Sequence, residues 1–312
     1  IRDRCDIHGY KCNVNVDNVP KRYQGLSGRL TYGFRDTYMI DLNFGYTGSE
    51  NFQKGRRFGF FPSVALGWVP TNYDFVRETL PWLSFLKIRG SWGSVGNDRI
   101  TNKRFPYLTI MNENANKGWN GSNGVTEQSV GADNLQWEKA IKLDLGIEGK
   151  LFNEQVDFTV DFFRDTRNDI FQQRTMVPDY IGLAEQPFGN VGSMVSYGAD
   201  GNISFRQDIG KDFSFTLRGN FTYTANMVKN WEEAFQKYSY QERADKPYEF
   251  YSSYIALGLF RDENDVKFSP DQSGIAGRKV LPGDIKYKDV NGDGVINSDD
   301  QVPRSYKANY PR

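Results

Sequence analysis

The residues best equipped for chemistry stand late in the chain, where the run DVNGDGVINSDD at 289–300 sets oxygen-bearing side chains two apart. Asp289, Asn291 and Asp293 fill positions 1, 3 and 5 of a calcium-type loop, and Gly294 permits the sharp turn at position 6. Val295 offers its carbonyl at position 7, Ile296 packs inward at position 8, and Asp300 closes the shell at position 12. Hard oxygens on a winding loop suit calcium, which accepts about six to eight of them with tolerant geometry. Position 12 is Asp where the consensus has the longer Glu, and no helices are apparent on either side. The plain alternative is a polar turn rich in Asn-Gly and Asp-Gly that needs no ion. The expectation is a structural calcium ion held by Asp289, Asn291, Asp293, Val295 and Asp300, with no organic cofactor.

Other reactive side chains are few. Cys5 and Cys12 are the two cysteines, and His8 between them is the one histidine. The pair could close a small disulfide loop or stand as two thiols, because spacing does not fix the Cα separation a bridge requires. Zinc would need a further ligand that the neighbourhood offers only as Asp3 or Asp6, so none is expected. A lone histidine removes most nucleophile and base arrangements built on imidazole. With 39 acidic residues, carboxylate pairs at a glycosidase separation arise by chance, so their abundance is no evidence for one. The chain is not expected to be an enzyme.

The elements that position these residues show in composition first. Lys plus Arg and Asp plus Glu are each 39, so the bookkeeping shows no basic footprint and nucleic acid is not an expected partner. The chain holds 18 Tyr, 23 Phe, 6 Trp and 31 Gly, beside a polar mean hydropathy of -0.65. That mixture suits half-buried strands better than helices. No run of about 18 apolar residues occurs, which excludes a membrane-spanning helix but not a membrane-spanning barrel, whose strands alternate.

Period two dominates the chain. Leu30, Tyr32 and Phe34 share one face against Arg29, Thr31 and Gly33, and Ile40, Leu42, Phe44 and Tyr46 oppose Asp41, Asn43 and Gly45. Val64, Leu66 and Trp68 form a third face; Leu86, Ile88 and Trp92 alternate with Lys87, Arg89, Ser91 and Gly93. Ile141, Leu143, Leu145 and Ile147 oppose Lys142, Asp144, Gly146 and Glu148, and Val156, Phe158, Val160 and Phe162 oppose Asp157, Thr159 and Asp161. Val195, Tyr197, Ile203 and Phe205 make a seventh set, and Phe213, Phe215, Leu217, Phe221 and Tyr223 an eighth. The reading is all-β and antiparallel, with eight strands.

A soluble sandwich carries the same alternation, so strand length and loop parity must separate the two. Many segments run about 10 to 13 residues, nearer the ~10 of tilted membrane strands than the ~5–6 of soluble sheets. Connections alternate from short (35–37, 151–154, 208–212) to long (97–137, 166–192, after 225), as outer-membrane barrels do. The long ones are expected outside the cell and the short ones in the periplasm. The 70–84 connection fits less well and looks partly helical, with Thr71 or Asn72 as its cap.

The stretch GDIKYKDVNGDGVINSDDQVP at 283–303 resembles a signature of the SusC/RagA family of TonB-dependent transporters. RYQGLSGRLTYGF (22–34), IDLNFGYTGSENF (40–52), RFGFFPSVALGWV (57–69) and LKIRGSWGSVGND (86–98) resemble successive barrel strands of that family, in its order. The resemblance implies residues 22–312 of an incomplete barrel of about 22 strands, preceded by a weakly matching stretch, 1–21. It also implies location in the outer membrane of a Gram-negative, Bacteroidota-like cell, in contact with its lipid. TonB would act through a plug, a SusD-like surface lipoprotein would serve as lid, and the cargo would be an oligosaccharide or peptide. The chain opens on Ile1 with no signal-peptide pattern, so truncation is expected, and the piece alone should not fold stably or transport. Trp119, Trp137, Tyr180 and Trp231 are loop aromatics with no binding role assigned. Two rivals remain: a siderophore or cobalamin receptor of the same build, and a soluble calcium-stabilised adhesin or glycan-binding module.

Overall fold

The computed structural model describes residues 5–7, 10–12, 22–99, 105–114, 124–132, 134–183, 185–210 and 212–305, so His8 and Trp119 lie outside the described residues. The chain forms two compact units, Ile1–Glu232 and Glu233–Arg312. Sequence alternation left 22–312 undivided, and the unit boundary falls just after the last long alternating strand.

In the first unit β1 (Cys5–Ile7) and β2 (Tyr10–Cys12) pair antiparallel, with Cys5 opposite Cys12. The main element is an eight-stranded sheet. Its first four strands are β3 (Tyr23–Phe34), β4 (Tyr38–Ser49), β5 (Phe58–Trp68) and β6 (Leu83–Asn97). A separate hairpin follows, β7 (Ile110–Asn114) with β8 (Gly124–Ser129). The sheet resumes with β9 (Glu138–Leu151), β10 (Val156–Gln173), β11 (Phe188–Ile209) and β12 (Phe213–Asn230). Every neighbour pair is antiparallel and the spatial order is the chain order, a meander interrupted only by the β7–β8 hairpin. All eight alternating segments read from the sequence are strands of this one sheet.

The later strands are longer than their apolar alternation. β10, β11 and β12 run 18, 22 and 18 residues, against the ~9–11 a tilted strand needs to cross a bilayer. The expected 166–192 connection therefore shortens to the stretch between Gln173 and Phe188. Beyond Phe162 the outward positions of β10 become Arg164 and Thr166, so the apolar signal ends while the hydrogen-bond ladder continues. An irregularity follows at Asp169 (φ 58), where the β10–β11 register shifts around Ile170.

Strand alternation places the 69–82 connection at the end that carries the tight turns. Val69 N–H donates to Thr37 O at 2.8 Å and Phe152 N–H to Trp82 O at 2.8 Å, while Asn72 Nδ2 donates to Asp36 O at 2.8 Å. The connection is partly helical as expected: a 3-10 turn, Pro70–Asn72, precedes α1 (Asp74–Thr79). The cap is a correction. Tyr73 occupies the N-cap without a side-chain bond, because Thr71 Oγ1 accepts from Leu86 N–H at 3.2 Å and Asn72 is spent on Asp36.

The second unit is small. β13 (Tyr251–Ser253) pairs with β16 (Val302–Ser305), and β14 (Ala256–Leu259) with β15 (Ile285–Tyr287). Two short helices, α2 (Glu263–Lys267) and α3 (Ser273–Ala276), lie between β14 and β15. Phe260, Val280, Ile296 and Asp300 are its buried residues, together with Gln272.

Candidate functional site

The sheet is inverted relative to a soluble protein. On β4 the apolar positions Ile40, Leu42, Phe44 and Tyr46 are exposed, while Asp41, Asn43 and Thr47 are half-buried. On β9 Leu143 and Leu145 are exposed, the latter at 55%, while Asp144 and Glu148 are half-buried. Register carries this across the strands, for Leu30, Leu42, Val64, Trp92 and Leu143 form one outward row. A row of large apolar side chains left outside is stable only where lipid replaces water. Ring pairs cross strands on this face, with Tyr46 stacked on Phe58 at 5.0 Å.

The enclosed face is polar and charged. Arg29 Nε donates to Asp41 Oδ1 at 3.0 Å, and its Nη2 pairs with Oδ2. Further along, Arg89 Nη2 donates to Asp161 Oδ2 at 2.7 Å, with Glu148 at 2.9 Å and Asp144 at 4.0 Å from the same guanidinium. Lys87 lies 3.8 Å from Glu148, and Lys142 3.4 Å from Asp165. Asp161 also stands directly opposite Asp200 across the β10–β11 ladder. Gly146 makes room for the cluster: a Cβ there would meet Asp161 Oδ1 at 2.2 Å and Arg89 Nε at 2.7 Å. Alternation alone puts Arg89, Asp144, Gly146, Glu148 and Asp161 on the polar face, but their convergence on Arg89 depends on register across β6, β9 and β10. These groups make that face of the wall polar, with its charges largely paired.

At the end opposite the tight turns, loops fold onto the wall. Phe52, Ala132, Leu135 and Trp137 form a buried cluster against Phe61, Tyr107 and Phe171. Trp137 is 5% exposed, stacks on Phe52 at 4.9 Å and donates from Nε1 to Arg57 O at 3.1 Å. It is thus a core residue. Asn190 knits the same region, bonding both Gln136 backbone groups at 3.0 Å and Asp169 O at 2.6 Å. Trp231 is half-buried, whereas Tyr180 is 88% exposed. A cavity beside this cluster, lined by Phe105, Leu108, Phe171 and Phe188, measures about 20 Å³. That is room for roughly one water and no substrate.

In the second unit the loop 289–300 closes on itself. Asp289 accepts Gly292 N–H at 2.6 Å and Gly294 N–H at 2.8 Å, Asn291 Oδ1 accepts Asp293 N–H at 2.9 Å, and Asp293 Oδ1 accepts Val295 N–H at 2.9 Å. Ile296 is buried as expected, its N–H donating to Asp271 O at 2.7 Å. A strand, β15, precedes the loop and a 3-10 turn, Ser298–Asp300, ends it, so no EF-hand helices flank it. Asp300 is 0% exposed and accepts Val290 N–H at 2.7 Å and Asn297 N–H at 2.9 Å. Among the described residues no three His, Cys, Asp or Glu side chains converge as a metal-ligand group. Asp293 is exposed and Asp289 and Asn291 are half-buried, each oxygen that takes an N–H keeping a second lone pair.

Replacing Asp300 by Ala removes a buried acceptor of two backbone N–H groups, so a loss of about 2–3 kcal/mol of local stability is expected. Hydrogen exchange at Val290 and Asn297 measures it, and unchanged protection would contradict the role. Elsewhere in this unit the hydrogen bond from Lys286 holds the Asp265 carboxyl below its ordinary range, helped by the Arg261 N–H. The Leu281 N–H and then Arg278 do the same for Asp284. A depressed folded pKa stabilises fully above the unfolded value of about 3.9 and is lost as pH falls through the lower folded one.

An antiparallel meander with a lipid-facing outside, a hydrated inside and alternating short and long connections is the wall of an outer-membrane β-barrel. A family model described as TonB dependent receptor-like, beta-barrel matches residues 8–299, and the chain belongs to that family. It is 28% identical over 290 residues to the TonB-dependent receptor SusC of Bacteroides thetaiotaomicron, covering 88% of this chain and 27% of that protein. It is 27% identical over 289 residues to the TonB-dependent receptor P3 of Formosa agariphila, covering 88% of this chain and 28% of that protein. Among solved structures, the RagAB peptide importer in its open-open state shares the fold, with TM-score 0.69 and 22% identity over 90% of this chain and 29% of that one. The chain thus spans less than a third of the length of these curated relatives. The family places it in the outer membrane, and the soluble adhesin reading falls.

Proposed function

We propose that this chain supplies pore wall and extracellular loops to a TonB-dependent importer of oligosaccharides or peptides, working with a SusD-like surface lipoprotein. The observation that carries the reading is the inverted sheet, apolar outside and charged inside, in a chain matched over 8–299 to the receptor barrel family. Likeness to SusC and to the RagAB importer supports the substrate classes and the lipoprotein partner. The role in this reading is transport without covalent chemistry, energised by TonB through a plug. Deleting the gene in its host and growing the strain on single glycans, peptides or limiting iron tests this. Loss of growth on one glycan or peptide, reproduced by deleting the neighbouring lipoprotein gene, is expected. A defect confined to iron or cobalamin limitation would return the siderophore or cobalamin reading instead.

Calcium at Asp289, Asn291, Asp293, Val295 and Asp300 belongs to the same proposal, as a structural ion bracing an extracellular segment. The spacing of Asp289, Asn291 and Asp293 and the second lone pairs their oxygens keep support it; binding requires the Asn291 amide, 2.9 Å from Asp293 Oδ2, to turn away. Added calcium should raise the melting temperature of the receptor, because an ion that binds only the folded loop stabilises it by mass action. Asp289→Ala should abolish the rise. No rise in the unaltered protein, after chelator treatment and calcium addition, would leave the loop as a self-capped turn.

A further inference from the structure

At the tight-turn end of the wall, the 69–82 connection alone among the described turns carries a helix. Its aromatic side chains gather with those of the neighbouring strand ends. Phe34, Tyr38 and Trp68 close the outward rows of β3, β4 and β5, and all three are exposed. The Tyr73 hydroxyl pairs with that of Tyr38, which draws the connection to the outward side of the wall. Phe75 follows at 5.7 Å from the Tyr73 ring, and Trp82 lies 6.4 Å from Phe152. α1 buries none of its residues; Phe75 is 67% and Trp82 47% exposed.

We infer that 69–82 is a membrane-interface anchor, with α1 lying on the periplasmic leaflet and Phe75 and Trp82 seated at the headgroup–acyl boundary of a zwitterionic phospholipid surface. The occupant follows from continuity, because Tyr38 belongs to the same outward row set as Ile40 and Leu42, which face lipid. Tyr and Trp combine an apolar ring with a polar tip and concentrate at that boundary. The nearby charges are mixed: Arg35 and Arg77 stand with Asp36, Asp74 and Glu78, all exposed. A single-sign surface would face repulsion from one set or the other, whereas a zwitterionic headgroup layer offers a counter-charge to both. The positive φ of Phe152, Asn153 and Glu154 (54, 56 and 66°) is consistent with a turn shaped by its surroundings. That turn is tied in by bonds from Phe152 N–H to Trp82 O and from Asn153 N–H to Ser84 Oγ.

The inference rests on the barrel reading, and the test separates the two. In the receptor containing this chain, with Cys5 and Cys12 replaced by Ser, single cysteines at Phe75, Leu145 and Asp212 would carry nitroxide labels. After reconstitution in phosphatidylethanolamine–phosphatidylcholine vesicles, their accessibility to oxygen and to a nickel chelate is compared. Leu145 should be strongly oxygen-favoured, Asp212 water-like, and Phe75 intermediate, with an oxygen-to-nickel ratio several-fold above that of Asp212. A Phe75 ratio equal to that of Asp212 beside a lipid-like Leu145 overturns the anchor, and means that a protein segment or water covers α1. A water-like Leu145 overturns the barrel reading itself.

Discussion

An arginine at Leu145 is expected to cost the assembled barrel about 2–4 kcal/mol, the penalty for a cation near the middle of a lipid-facing strand. Leu145 is flanked on its own strand by Leu143 and Ile147 and across the ladders by Gly90 and Phe162, so no polar neighbour on these strands can receive the guanidinium. At 1.4 kcal/mol per factor of ten, about 2–4 kcal/mol lowers the folded-to-unfolded ratio roughly 30- to 700-fold. The readout is the folded fraction in vesicles across a denaturant series. The matched control is Thr159→Arg on the enclosed face of the adjacent strand, where water and the carboxylates of Asp161 and Glu148 are near. Equal losses at both positions would mean that the outward row does not face lipid.

Arg89→Met should have the largest effect on the charged face of the wall. One guanidinium serves Asp161, Glu148 and Asp144, and its loss leaves three carboxylates facing one another, with Asp200 opposite Asp161. Removing one partner of a dry ion pair costs about 3–5 kcal/mol. Arg89 is more than a third exposed, and solvent screening brings the expected loss to about 2 kcal/mol. Adding Asp161→Asn to Arg89→Met should recover part of it, with a coupling energy of about 1 kcal/mol in the double-mutant cycle. Gly146→Ala offers an independent arm, because the new Cβ occupies the space of the Asp161 carboxylate. Strict additivity of the two substitutions would show that the cluster does not act as a unit.

The second unit illustrates a different level of legibility. Positions 289–300 were readable as a loop with its inward Ile296, because turn chemistry is written in adjacent residues. Which bonds Asp300 makes was not readable, since its burial requires Val290 and Asn297 to fold back on it. Trp137 shows the same limit. Its neighbours gave no alternation that marks burial, and the rings packed against it, Phe52 and Phe61, come from far away in sequence.

What the sequence determined by itself was the set of eight strands, their two faces and the sides of most turns. Side-chain alternation is a local consequence of the extended backbone and needs no partner to be legible. Tertiary structure alone decided the register that gathers Arg89, Asp144, Glu148 and Asp161 over Gly146, the extension of β10 and β11 past the apolar band, and the separate second unit. Each depends on which residues of distant segments meet. A one-residue slip in pairing would keep every strand yet turn the faces over, so the rows exist only once the strands are aligned.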